Sequence, residues 1–277
     1  ESSTSQLTTQ SNNSLEKQIE NKISEKSSNN KMYYISTNNA EKVKKIQYIK
    51  MEIAQIFVIG SGKLANAILG SNLIFNSIKV ERWEPKYKEL ENKAIIVHAG
   101  SGRQLDECLE YCTKTKSILI ELSTGLDTEK IGANFPLVIC PNTSILLLKT
   151  IRMLKLFGSN FENYDISIVE SHQATKSTEP GTAYNFANFL KVKHDEITSI
   201  RDAQTQLKIG IPKEFLERHA YHKIVIKDFH DEVSIETKVL GHNSYVDGVR
   251  KIIETCIKHK LENKKYTVLD LIEEGIL

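Results

Sequence analysis

The chain has 277 residues, 40% hydrophobic and 26% charged, enough for one large domain or two modest ones. Its 37 Lys and Arg against 35 Asp and Glu leave a net charge of +2, too near balance to argue for nucleic acid or an anionic membrane as partner. No run approaches ~18 apolar residues, so no membrane span is expected, and no apolar signal core follows a basic start.

Residues 1–30 are Ser, Asn, Thr, Gln, Lys and Glu with almost nothing to bury, and they read as a disordered tail. Glu16, Glu20 and Glu25 count against a transit peptide, which avoids acid. The expected localisation is cytoplasmic, or organellar if the tail is the remnant of a targeting segment. Residues 31–50, with Met32-Tyr33-Tyr34-Ile35 and a Lys-rich stretch, suggest a short docked element, so 1–50 stands apart from the rest.

Order is expected from Met51. Residues 53–59 form a compact apolar run ending in glycine, as a buried parallel strand does. Leu64, Ala65, Ile68 and Leu69 follow helical spacing. Further strands are predicted over 77–82, 94–98, 117–122 and 135–140, with a helix over 105–112. The short link between 82 and 94 predicts an abbreviated crossover. Alternating strand and helix is the pattern of a doubly wound parallel sheet. After Ser144 the pattern changes: an apolar helix over 145–157, a strand over 164–170 in a mixed sheet, and a helix over 182–191. Strands over 223–228 and 232–240, a helix over 246–261 and a closing element at 268–276 complete an α+β second domain.

Gly60-Ser61-Gly62-Lys63-Leu64-Ala65 has the form G-x-G-x-x-A between a strand and a helix. The first glycine suits a tight turn, the second a close approach to a pyrophosphate, and the small last residue close helix–strand packing. Glu81 lies 21 residues beyond Gly60, where an acid can bind a ribose diol, and Arg82 beside it can meet a 2′-phosphate. NADH and NADPH both remain open as cofactor. Gly100 and Ser123-Thr124-Gly125 end later strands, where small residues let a nicotinamide ring lie against backbone. Asn142 is a hinge, an amide facing the ring, or a plain turn residue. The fold class is therefore α/β: a Rossmann-type dinucleotide-binding domain with a second α+β sheet domain.

Residues 170–183 offer a different chemistry. His172 can deliver a proton, Lys176 can pair with a carboxylate, and Gly181-Thr182 open a helix whose N–H groups suit an anion. Together they fit reduction of a small acid. His219 and His222 would share a face at helical spacing, but a third ligand is missing, so no metal is expected. The four cysteines, Cys108, Cys112, Cys140 and Cys256, read as reduced core thiols.

These pieces resemble the dihydrodipicolinate reductase family, whose motif is E-x-H-H-x-x-K-x-D-x-P-S-G-T-A. Glu170, His172, Lys176, Pro180, Gly181, Thr182 and Ala183 keep its order. Gly62-Lys63-Leu64-Ala65 stands for Gly-Arg-Met-Gly, Glu81-Arg82 for the acid–arginine pair, and Asn142-Thr143-Ser144 for Asn-Phe-Ser. The resemblance implies catalytic roles for His172, as general acid, and Lys176. It implies cofactor contacts from Gly60, Ser61, Gly62, Lys63, Leu64, Glu81, Arg82, Gly100, Ser123, Thr124, Gly125 and Asn142. Gln173, Lys176, Gly181 and Thr182 would meet a dicarboxylate substrate of lysine and diaminopimelate biosynthesis. It also implies a homotetramer, and a cofactor domain of 51–143 plus 246–277 around a substrate and oligomerisation domain of 144–245. The chain departs from the motif where Gln173 replaces the second histidine, Thr178 replaces Asp, and the Ser before Gly181 is missing. The family's Arg-Gly-His-x-Gly stretch is not visible in 201–216. A reductase of another carboxylated imine and a catalytically silent cofactor-binding protein are the alternatives.

Overall fold

The computed structural model describes residues 31–32, 49–50 and 53–277. The tail expected over 1–30 and most of the element expected over 31–50 lie outside the described residues. Of the latter, Lys31–Met32 pairs antiparallel with Ile49–Lys50.

From Gln55 the chain builds a seven-stranded sheet. Strand β1 (Gln55–Ile59) buries Ile56 to Ile59 in succession, because helices cover both faces of a parallel sheet. Helix α1 (Lys63–Gly70) follows, then a hairpin of β2 (Ile74–Phe75) and β3 (Ile78–Arg82). The abbreviated crossover is a 3-10 turn, Pro85–Glu89. It leads to β4 (Ala94–His98), α2 (Leu105–Thr115), β5 (Ile118–Glu121) and β6 (Leu137–Ile139). Under one face Phe57, Trp83 and Tyr111 pack edge to face with the α2 cysteines, Phe57 to Trp83 at 5.3 Å. All four cysteines are free and buried, and burial pushes Cys140 and Cys256 up to about 12.

Helix α3 (Ile145–Phe157) leaves this sheet for a second one. Strand β7 (Asp165–His172) pairs parallel with β8 (Thr198–Ile200) and antiparallel with β9 (His219–Asp228), which pairs with β10 (Asp231–Leu240). Helix α4 (Gly181–Leu190) packs on β7 and on α3. A short helix, α5 (Ala203–Lys208), is capped by Asp202, which accepts from the Thr205 N–H at 2.8 Å. Helix α6 (Asn243–Lys258) then returns to pack on α1. Strand β11 (Lys265–Thr267) adds to β6, and α7 (Val268–Glu273) opens with a capping box of Thr267 and Asp270. The large sheet has the order β11-β6-β5-β4-β1-β3-β2, parallel except for the β2–β3 hairpin. The small one has the order β8-β7-β9-β10.

The helical spacing that would set His219 and His222 on one face does not apply. His219 and His222 lie on β9 rather than on a helix. With side chains alternating along a strand, residues three apart face opposite sides, so the two imidazoles cannot chelate one ion. The run Ala220-Tyr221-His222 ahead of Lys223 is extended because it pairs with both β7 and β10.

Candidate active site

The glycine loop leaves β1 at Gly60, whose φ of +128° is a conformation that side chains avoid. A Cβ there would stand 2.2 Å from the Ala99 carbonyl oxygen, because the ends of β1 and β4 are in contact. Gly62 has open space around it, which leaves the loop backbone bare toward a ligand. Together they form the floor of a cavity of about 710 Å³ at the carboxyl ends of the strands. This is where open α/β sheets bind ligands. Helix α1 starts at the cavity with no side-chain cap and no acid in its first turn, so its N–H dipoles are free to meet an anion.

Seven of the residues singled out for a cofactor line this cavity: Gly60, Ser61, Gly62, Leu64, Arg82, Gly100 and Ser123. Arg82 is fixed in place by donating to the Gly60 carbonyl at 2.5 Å and to Asn66 Oδ1 at 2.9 Å. Glu81 is exposed and, alternating with Arg82 along β3, is not part of the lining. Thr124 and Gly125 are also exposed outside it, Gly125 donating to Glu129 at 2.8 Å. Asn142 turns its Oδ1 to the Ser144 N–H at 2.9 Å, a turn that starts α3. Lys63 faces a second cavity of about 490 Å³ with Arg218 and His242.

The second cluster sits at the end of β7. Glu170 has no exposed surface and accepts from both His172 Nδ1 at 2.7 Å and Arg201 Nη2 at 2.6 Å. Burial pushes its carboxyl up, but the hydrogen bonds from His172, Arg201 and Ser199 outweigh this and hold it down at about 2. The Nδ1 contact fixes the imidazole and leaves Nε2 for chemistry, with the side chain 15% exposed. Behind it stands His222, 5.8 Å away between ring centres and edge-on to Phe186. Burial, then the nearby His172, lowers His222 to about 4, so it is a neutral wall at ordinary pH.

Lys176 is half-buried and reaches Thr178 Oγ1 at 2.6 Å. Gln173 and Thr182 are half-buried and Gly181 is exposed. Helix α4 begins at Gly181 without a side-chain cap and without an acid in its first turn. The structure thus gathers an imidazole, an ammonium and a bare helix start along 172–182. It does not bring them into the 710 Å³ cavity, whose lining comes wholly from the large sheet and its loops.

Sequence reasoning missed two sets of residues. Arg201 follows β8, a three-residue strand with no periodicity to reveal it. His98 and Glu121 end β4 and β5, and their signal was present: each is an ionisable residue closing an otherwise apolar strand.

A glycine-loop parallel sheet joined to a mixed sheet with a His–Glu–Arg cluster defines the class: a Rossmann-type α/β protein with a second, α+β sheet region. Residues 146–272 match the family model described as "Dihydrodipicolinate reductase, C-terminus". Over that segment the chain is similar to the C-terminal part of dihydrodipicolinate reductases. It is 31% identical over 134 residues to the Oryza sativa protein "Probable 4-hydroxy-tetrahydrodipicolinate reductase 1, chloroplastic", covering 44% of this chain and 39% of that one. The chain therefore spans about two fifths of the plant relatives it matches. It is 20% identical over 216 residues to a Rhodopirellula baltica 4-hydroxy-tetrahydrodipicolinate reductase, covering 71% of this chain and 77% of that one. The solved "Dipicolinate bound Dihydrodipicolinate reductase from Paenisporosarcina sp. TG-14" shares its fold, with a TM-score of 0.56 at 15% identity over 79% of this chain and 99% of that one.

Proposed function

We propose that the protein is an NAD(P)H-dependent reductase of the dihydrodipicolinate reductase type, acting on a cyclic conjugated dicarboxylate in lysine and diaminopimelate biosynthesis. The observation that carries this reading is the Glu170-held imidazole of His172, placed at a strand end just before Lys176 and the bare start of α4. An acid catalyst needs a fixed ring with one free nitrogen, and a dicarboxylate needs a cation and N–H donors beside it. All three follow within eleven residues, 172–182.

In this reading the residues 51–143 with 246–277 hold the cofactor and 144–245 hold the substrate. The cavity fits a dinucleotide: Gly60 fills a cradle that any Cβ would close, and α1 points bare N–H groups at it. The cofactor, when bound, supplies the hydride. Arg82, at the cavity wall with Glu81 turned away, favours the 2′-phosphate of NADPH over NADH. Lys176, Gly181, Thr182 and Gln173 hold and orient the carboxylates, and His172 Nε2 gives up its proton as the substrate is reduced. Glu170 and Arg201 fix that ring and stabilise it as its charge changes. Closure of the substrate region over the cavity brings His172 to the reacting atoms and excludes water.

Gln173 favours a second reading, a reductase of another carboxylated imine, because a neutral amide stands where the family motif has an ionisable ring. Homotetramer formation through the small sheet is supported by β10, a ten-residue edge strand with Val233 half exposed and Phe229 fully so at the hairpin tip. Among the described residues no helix is long and apolar enough to cross a membrane.

Stopped-flow turnover with dihydrodipicolinate and NADPH tests the assignment. His172→Ala is expected to lower kcat about 100-fold or more while the dissociation constant for NADPH changes less than about twofold. Equal loss of both would remove the acid role, and turnover of a different carboxylated imine alone would select the second reading.

A further inference from the structure

His98 and Glu121 are direct neighbours in the β4–β5 ladder, and both are fully buried. Two ionisable side chains at the ends of strands otherwise made of Ala, Ile, Leu and Val call for a reason, since burying them is costly. Glu121 is well satisfied. Its Oε1 accepts from His98 Nδ1 at 2.7 Å and from the Ser123 N–H at 2.8 Å, and its Oε2 accepts from Thr128 Oγ1 at 3.2 Å. The same network ties the two strand ends together, because Ser123 Oγ donates to the Gly100 carbonyl at 2.7 Å and receives the Gly100 N–H at 3.2 Å.

His98 is only half satisfied. In the tautomer whose Nδ1–H donates to Glu121, it is Nε2 that carries the lone pair. That Nε2 is buried and has no partner among the described residues. It lies at the cavity wall, 3.3 Å from where a Cβ on residue 100 would stand, so the bare backbone of Gly100 is what lets a ligand come near it. Of the six such buried side-chain atoms among the described residues it is the one whose residue lines this cavity, so a ligand there is the partner at hand.

We propose that His98 Nε2 accepts a hydrogen bond from the carboxamide N–H of the nicotinamide, making His98 a specificity residue for that end of the cofactor. The inference rests on the nicotinamide-dinucleotide reading of the cavity given above. Its logic is the chemistry of the acceptor. Phosphate and pyrophosphate oxygens carry no hydrogen to give, so the phosphate bridge cannot satisfy Nε2. Arg82 and His98 also lie on opposite sides of β1, on β3 and on β4. A dinucleotide divides at such a point, one half to each side. The cation takes the half with the extra phosphate, and the acceptor takes the half with the amide.

The test is calorimetric binding to the full chain with three probes: NADPH, its 3-acetylpyridine analogue, and 2′-phospho-ADP-ribose. The analogue replaces the amide nitrogen with a methyl group, and the last probe has no nicotinamide. The unaltered protein is expected to bind NADPH about tenfold more tightly than the analogue, the worth of one hydrogen bond to a buried acceptor. His98→Phe should bind both equally, and should bind 2′-phospho-ADP-ribose as the unaltered protein does. Discrimination that survives in His98→Phe, or an equal loss for all three probes, overturns the proposal. If that variant does not fold, the ¹⁵N resonance of His98 Nε2 in the unaltered protein decides. It should move with NADPH and stay in place with the analogue, and movement with both would assign the contact to the ribose instead and overturn it. Binding of 2′-phospho-ADP-ribose without discrimination sinks this inference alone, whereas binding of no probe at all sinks the reductase reading with it.

Discussion

Glu170 and His222 face each other across β7 and β9 as ladder partners, and their titrations point to two separate pH windows. The folded Glu170 carboxyl titrates at about 2 against an ordinary 4.5. Above pH 4.5 both folded and unfolded chains carry the charge, and its stabilisation is complete. Below 4.5 the unfolded chain takes up a proton first, and the contribution, roughly 3 kcal/mol, is lost as pH falls toward 2. His222 runs the other way in charge but not in sign. Its folded value is about 4 against 6.5, so between these the unfolded chain is protonated and the folded chain is not. Stability therefore falls by up to about 3 kcal/mol as pH drops from 6.5 to 4, and the effect is flat below that. Urea unfolding as a function of pH should show both slopes. His222→Phe should flatten the upper window and leave the lower one, and Glu170→Gln should do the reverse. A single slope that neither variant changes would remove both assignments. The lower window was hard to foresee, because the Arg201 that helps depress Glu170 follows an unrecognised strand.

Among the elements, the two long crossings between the sheets meet at one point. The first crossing is 140–145 and the second 240–246. Thr143 Oγ1 donates to the Tyr245 carbonyl at 2.8 Å, and Gly248 in α6 lies against the Thr143 backbone. A Cβ at 248 would stand 1.5 Å from the Thr143 carbonyl oxygen and 2.6 Å from its carbonyl carbon, backbone atoms that cannot swing aside as a flexible side chain would. Gly248→Ala should therefore cost about 3 kcal/mol or more, seen as a fall of roughly 6–12 °C in melting temperature. A loss under about 1 kcal/mol would mean that α6 slides freely on the 140–145 segment. This contact was invisible in the sequence, where Gly248 is one glycine within a helical pattern. What could be read were elements whose burial imposes a period: β1, β4, β5 and α3 fall where their apolar runs lie. What could not be read were β8 and β11, three residues each, held in their sheets by a single neighbour. The strand expected from Lys223 starts at His219 instead, because the pairing with β7 and β10 that extends it is unknown to the sequence.

For the molecule as a whole, the cofactor half of the site is readable because a tight turn demands glycine at a fixed spacing, and seven of the twelve named residues do line one cavity. The five that do not are Lys63, Glu81, Thr124, Gly125 and Asn142, and which way a side chain, or at Gly125 the loop backbone, turns at a strand or helix end is not specified by spacing. The substrate half is readable as a motif, yet motif order says nothing about distance from the cavity. His172 and the glycine loop belong to different sheets, joined through the 140–145 and 240–246 crossings, and the proposed reaction calls for the protein to close about them so that a proton and a hydride reach one molecule. Small-angle scattering of the full chain should then show a smaller radius of gyration with NADPH and a dicarboxylate inhibitor together than with either alone. Thr143→Val, which removes the hydroxyl joining the crossings, should leave NADPH affinity within about twofold and alter the closed fraction, since the lost bond is worth about 1 kcal/mol. If the radius does not change with both ligands present, His172 stays in its own cluster on β7, and the proton must come from a group on the large sheet.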